Sequence, residues 1–87
     1  MKINQGFILR KVGGESVVVP VGEATKQFQG MINLNEVGAF LWNFFTQERS
    51  IEEAVDALTA EYAVDRERAE TDVKAFCEQL TKRGFAK

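Results

Sequence analysis

Histidine is missing altogether, and the 87 residues hold one cysteine, Cys77. A single chain without His and with one Cys cannot assemble the nitrogen–sulfur ligand sets that hold structural or catalytic zinc. Nor can it build a Ser-His-Asp or Cys-His nucleophile pair. An internal disulfide is excluded as well, which makes a reducing compartment the natural setting. Apolar runs are short. None approaches the roughly 20 residues of a membrane span, and Met1-Lys2-Ile3-Asn4-Gln5-Gly6 has no apolar signal core. The expectation is a cytoplasmic protein with no metal, no cofactor and no catalysis of its own. Its carboxylates fall mostly on predicted helix surfaces.

Charge of either sign is not in excess. Eleven basic and thirteen acidic side chains leave a formal net charge of −2, and 45% of residues are hydrophobic. That balance argues against disorder and is enough apolar material for one core. Residues 1–87 are therefore read as a single domain.

The first third has strand character. Phe7 to Val12 alternates, with Phe7 and Leu9 on one face. Gly13-Gly14-Glu15 reads as a turn, and the β-branched run Val17-Val18-Val19 as a second strand. Pro20, the single proline, cannot donate to a ladder and marks the end of that strand or an outward edge position. Val21 to Lys26 reads as a loose connection. Gln27 to Leu34 reads as a third strand, with Ile32 and Leu34 on one face and Met31 and Asn33 on the other. Gly30 there suggests a bulge or a close backbone approach.

The remainder reads as three helices. The third strand runs without a loop into the first, from about Glu36 to Phe45, capped by Asn35 and with Glu36 at its positive end. Val37, Phe40, Leu41, Phe44 and Phe45 form its expected buried stripe, and Trp42 is expected off that stripe at the core rim. Ser50-Ile51-Glu52-Glu53 is a capping box opening the second helix, with Ile51, Ala54, Val55, Leu58 and Tyr62 as the buried face. The third helix begins near Asp65 and carries Ala69, Val73, Phe76 and Leu80 on one face. Gly84 is its expected left-handed stop, and Phe85 folds back. The fold class that follows is α+β: a three-stranded antiparallel sheet followed by three helices, of winged helix-turn-helix type.

At the strand-to-helix junction, Leu34-Asn35-Glu36-Val37-Gly38-Ala39-Phe40-Leu41-Trp42 resembles the signature of the PQQ-synthesis protein D (PqqD) family. That family overlaps the recognition elements for precursor peptides of ribosomally made, post-translationally modified products (RiPPs). Ser50-Ile51-Glu52-Glu53-Ala54 and the closing helix with Gly84-Phe85 match the same layout, so the resemblance spans nearly the whole chain. It implies a non-catalytic peptide carrier. Such a domain binds the leader of a precursor peptide as an added strand on its third strand, in the cleft facing the third helix. It presents the peptide to a modifying enzyme, often a radical S-adenosylmethionine enzyme. Carried onto this chain, the resemblance places the peptide on Gln29, Gly30, Met31, Ile32, Asn33 and Leu34, facing Ala69, Val73, Phe76, Cys77 and Leu80. The connection from Val21 to Gln29 is longer than in proteins that make PQQ itself, a departure that bears on the pathway and leaves the binding mode intact.

The residues themselves weigh on the alternatives. A free sheet edge can be an ordinary edge or a docking edge, and it permits a monomer or a weak edge-to-edge dimer. Cys77 reads as a small buried apolar group more readily than as a reactive thiol. A winged helix-turn-helix DNA-binding regulator is the competing function, but duplex DNA demands clustered Lys and Arg. From Ser50 to Tyr62 there are four acids and no base, and from Asp65 to Arg83 five acids balance five bases. No nucleic acid and no membrane partner is expected.

Overall fold

Gly13 and Gly14, at φ of 59° and 86°, close a two-residue turn that folds β1 (Phe7–Val12) back onto β2 (Glu15–Pro20). Both positions lie where only glycine sits without strain, and the turn's twist suits an antiparallel hairpin. The computed structural model describes residues 1–27 and 32–86. Its sheet has the order β1-β2-β3, with β3 covering Ile32–Leu34. The β2–β3 pair is antiparallel, in the register Ser16↔Leu34, Val17↔Asn33 and Val18↔Ile32. As the central strand, β2 buries Ser16, Val17 and Val18.

The connection from β2 is more ordered than its sequence suggests. Gly22–Lys26 form a short 3₁₀ helix, in which the Thr25 hydroxyl donates to the Gly22 carbonyl at 2.7 Å. Gln27, expected to begin the third strand, instead closes this helix by donating its N–H to Ala24 O at 3.1 Å. The competing effect is local: a Ser/Thr-type turn captures the chain before a ladder can form. The expected strand residues Gln29, Gly30 and Met31, and the bulge expected at Gly30, lie outside the described residues.

Three capped helices follow. In α1 (Glu36–Phe44) the Asn35 side chain accepts from the Gly38 N–H at 2.7 Å. In α2 (Ile51–Glu61) the capping box is complete. The Glu53 N–H donates to Ser50 Oγ at 3.0 Å, and the Ser50 N–H donates to Glu53 Oε1 at 2.9 Å. In α3 (Arg66–Arg83) the Asp65 carboxylate accepts from the Arg68 N–H at 2.7 Å. Gly84, at φ 84°, ends that helix, and the Phe85 N–H returns to Leu80 O at 2.8 Å, the bond that closes a Schellman turn. Phe85 is thereby turned into the core, and the Ile3↔Ala86 bridge ties the two ends of the chain together.

The core joins Val18 of β2 to Leu41, Trp42 and Phe45 near α1, to Ala54, Val55 and Leu58 of α2, and to Ala69, Val73, Cys77 and Leu80 of α3. Two expectations for α1 need correction. Trp42 is 2% exposed, not at a rim. Its ring meets Phe7 and Phe85 edge-on, at centroid distances of 6.4 and 6.2 Å. The buried stripe is rotated accordingly. Leu41, Trp42 and Phe45 are interior, while Val37, Phe40 and Phe44 are only half-buried. Because α1 carries apolar residues on more than one face, periodicity alone could not say which face the sheet and the two later helices would cover. Ile51 is likewise exposed, at 38%, although its spacing matched the buried face of α2. It sits on the first turn of α2, at the open groove it lines with Met1 and Cys77.

Candidate functional site

The outer side of β3 is a sheet edge, and no described strand pairs with it. Along a strand the backbone groups of successive residues point to alternate sides. A three-residue edge strand therefore directs at least one N–H and C=O pair away from β2. Ile32 and Leu34 are half-buried against the core, and Asn33 is exposed on the opposite face. The edge thus combines open main-chain groups with apolar side chains along one flank.

One end of this edge is packed against α1. A Cβ built on Gly38 would stand 3.2 Å from Asn35 Oδ1 and 3.3 Å from Leu34 Cβ. Glycine is what lets the first helical turn lie directly on the end of β3 while its N–H reaches the Asn35 cap. Strand and helix consequently share one junction with no intervening loop.

Beyond the junction runs a series of half-buried apolar side chains. Val37 and Phe40 extend along α1, and Phe40 meets Tyr62 edge-on with ring centroids 5.6 Å apart. Burial pushes the Tyr62 phenol above its ordinary pKa, with the Glu36 and Glu61 carboxylates adding to the effect. Phe40 also stacks on Phe44 at 6.5 Å, and the Arg49 guanidinium lies over the Phe44 ring at 5.0 Å. Val37, Phe40 and Tyr62 were read from sequence as core. The signal that separates them is the excess of apolar positions on α1 over what one buried face can hold.

The five residues expected on the third helix divide. Ala69 and Val73 are 0% exposed and Leu80 is 3% exposed, so they pack the interior beneath α3 and offer no surface. Phe76 is half-buried and stacks on Phe45, 6.5 Å between centroids. Cys77, next in sequence, is turned by about 100° around the helix. It lines a different groove with Met1 and Ile51, between α3 and the start of α2. Burial pushes its thiol pKa up, which disfavours the reactive thiolate. Of the expected α3 set, the structure leaves Phe76 as the apolar side chain with surface on the α1 side.

The charged faces are partly committed to the fold. Glu53 belongs to the α2 capping box, and its main-chain bond from Ser50 holds the carboxyl below its ordinary pKa. Asp56 pairs with Arg66 of α3 at 2.7 Å, and Arg66 also meets Glu70 at 3.4 Å. Half of the acidic set on α2 is thus engaged in capping or interhelix contact. Among the described residues no group of His, Cys, Asp and Glu is arranged to hold a metal ion, and no helix is long and apolar enough to cross a membrane.

Comparison with known proteins bears on this geometry. The profile of the family described as Coenzyme PQQ synthesis protein D (PqqD) matches residues 9–86. No curated protein sequence matches the chain. Among solved structures the chain is similar to TbiB1, in a structure described as TbiB1 in complex with the TbiA(beta) leader peptide. The TM-score is 0.74 and the identity 28%, over 98% of this chain and 93% of that one. The likeness extends to the order of three antiparallel strands followed by three helices.

Proposed function

Since the chain belongs to the coenzyme PQQ synthesis protein D family, we propose that it is a non-catalytic carrier of a ribosomally made precursor peptide. The leader of that peptide adds to the outer edge of β3 as a fourth strand. The carrier then presents the rest of the peptide to a modifying enzyme, in this reading a radical S-adenosylmethionine enzyme. The observation that carries the proposal is the β3 edge, unpaired among the described residues, packed against α1 at the Leu34–Gly38 junction and flanked by half-buried apolar side chains. TbiB1, similar over nearly the full chain, holds a leader peptide.

Strand addition divides the work between backbone and side chains. Main-chain bonds from β3 set the register, and alternate peptide side chains fall on the apolar flank of Ile32 and Leu34. The peptide pays an ordering cost on docking, which places the affinity in the micromolar to high-nanomolar range, about −8 to −9 kcal/mol. Nothing in the electrostatics favours duplex DNA. The net charge is −2, and α2 carries no Lys or Arg.

The test is an amide NMR titration of the labelled protein with the leader of the precursor peptide encoded beside its gene. Expected are shifts at Ile32, Asn33 and Leu34, and around Phe76. A leader that binds while leaving Ile32 to Leu34 unmoved would overturn strand addition at β3.

A further inference from the structure

We propose that the groove between α3 and the start of α2 is where the modifying enzyme docks, seating an apolar side chain that is flanked on the enzyme by Asp or Glu; this rests on the carrier reading. The groove is shallow and open, with a volume of about 480 Å³. Met1 and Cys77 line its nearly buried floor, and Ile51 stands at its side. At 38% exposure Ile51 is the most exposed large apolar side chain of the three helices. A small ligand buries most of its surface in its site, which an open groove does not provide. A side chain carried on a protein surface is covered by its own protein from the other side, as when a helix lies in a groove.

Charge selects the kind of surface. In the first half of α3 the bases have acidic partners: Arg66 meets Asp56 and Glu70, and Arg68 meets Asp72. Lys74 and Lys82 line the groove one helical turn to either side of Glu78. Among the described residues neither lysine is in an ion pair. Two ammonium groups to one carboxylate make this rim positive on a chain whose net charge is −2. The adjoining α2 carries acids and no base, so it repels an acidic surface while the α3 rim attracts it. The lysine stems extend the apolar walls while their heads stay in water.

The position suits a carrier. Presentation requires peptide and enzyme on the domain at the same time. No lining residue of the groove belongs to β3 or α1, so a strand added to β3 leaves it open.

The experiment titrates the carrier, loaded with its leader, against the modifying enzyme encoded beside its gene, using calorimetry and methyl NMR of Ile51. The variants are Ile51→Glu and Lys74→Glu/Lys82→Glu, with thermal melts confirming that they fold. Ile51→Glu is expected to weaken enzyme binding at least tenfold, as loss of an apolar anchor does. Lys74→Glu/Lys82→Glu should weaken it and abolish its salt dependence. Both variants should bind the leader like the parent, and the Ile51 methyl signals should shift when enzyme is added. If the enzyme binds both variants as it binds the parent, the groove is overturned and the carrier reading stands. If the variants change the mass of the carrier alone in sedimentation, the groove is an interface between copies of this chain, and enzyme docking there is overturned. If the enzyme binds no loaded carrier, presentation is overturned and the groove with it.

Discussion

Gly38 lies against Leu34 so closely that a single methyl group would meet both the strand side chain and the Asn35 cap. Two elements far apart in character, an edge strand and a helix, are joined at this contact. Anything that moves the first turn of α1 moves the docking edge with it.

Gly38→Ala sets two effects against each other. Alanine gains about 1 kcal/mol of helix propensity over glycine, and overpacking a tight contact costs about 1–3 kcal/mol. The expected net is a loss of about 1 kcal/mol in urea unfolding, with amide shifts concentrated at Ile32–Leu34 and weaker peptide binding. A variant with an unaltered β3 spectrum would show that the junction yields elsewhere.

Replacing Trp42 by Ala should remove about 3–5 kcal/mol, the usual cost of deleting a large buried aromatic. Folded domains are stable by only about 5–15 kcal/mol, so this loss is a large share of the total and should lower the melting temperature by about 12–40 °C. Native tryptophan emission should be blue-shifted and insensitive to aqueous quenchers, as the 2% exposure requires. Ready quenching by acrylamide would contradict the position beneath Phe7 and Phe85.

On α3, neighbouring positions should behave differently. Val73 is fully buried, so Val73→Asp places a charge in the interior and should prevent folding. Phe76→Ala should fold and bind the leader about tenfold more weakly, as truncation of an aromatic contact residue does. Cys77→Ala should bind like the parent, because Cys77 opens toward Met1 and Ile51 instead. Calorimetric titration of the two folded variants checks this, and equal losses from both would place the peptide across the whole of α3. Alkylation of Cys77 in the native protein should be much slower than in urea.

The α2 capping box has a pH signature. The Glu53 carboxyl is held below its ordinary pKa, chiefly by the main-chain bond from Ser50. Its contribution is therefore complete above the ordinary carboxylate range and is lost as pH falls through the lowered native value. The melting-temperature gap between the parent and Glu53→Ala should be open at pH 7 and narrow steadily toward pH 3. Ser50→Ala, which removes the other half of the box, should cost about 1 kcal/mol. A gap that widened on acidification would reverse the assigned sign.

Local chemistry was readable directly from the residues. Asn35, Ser50 with Glu53, Asp65 and Gly84 each specify a helix end through a bond within a few positions. Gly13-Gly14 specify the hairpin in the same way. The order of three strands and three helices follows, and so does the absence of histidine chemistry. The tertiary structure decided which apolar faces are covered. It turned α1 so that Trp42 is interior and Phe40 half-buried, sent Phe76 and Cys77 to different flanks of α3, and buried Ala69, Val73 and Leu80 completely. It also brought Lys11, Ser16 and Leu34 to one cavity. Helix caps and glycine turns act over three or four residues and are written in the chain. The rotation of a helix and the walls of a pocket depend on contacts among elements distant in sequence, which no local pattern encodes.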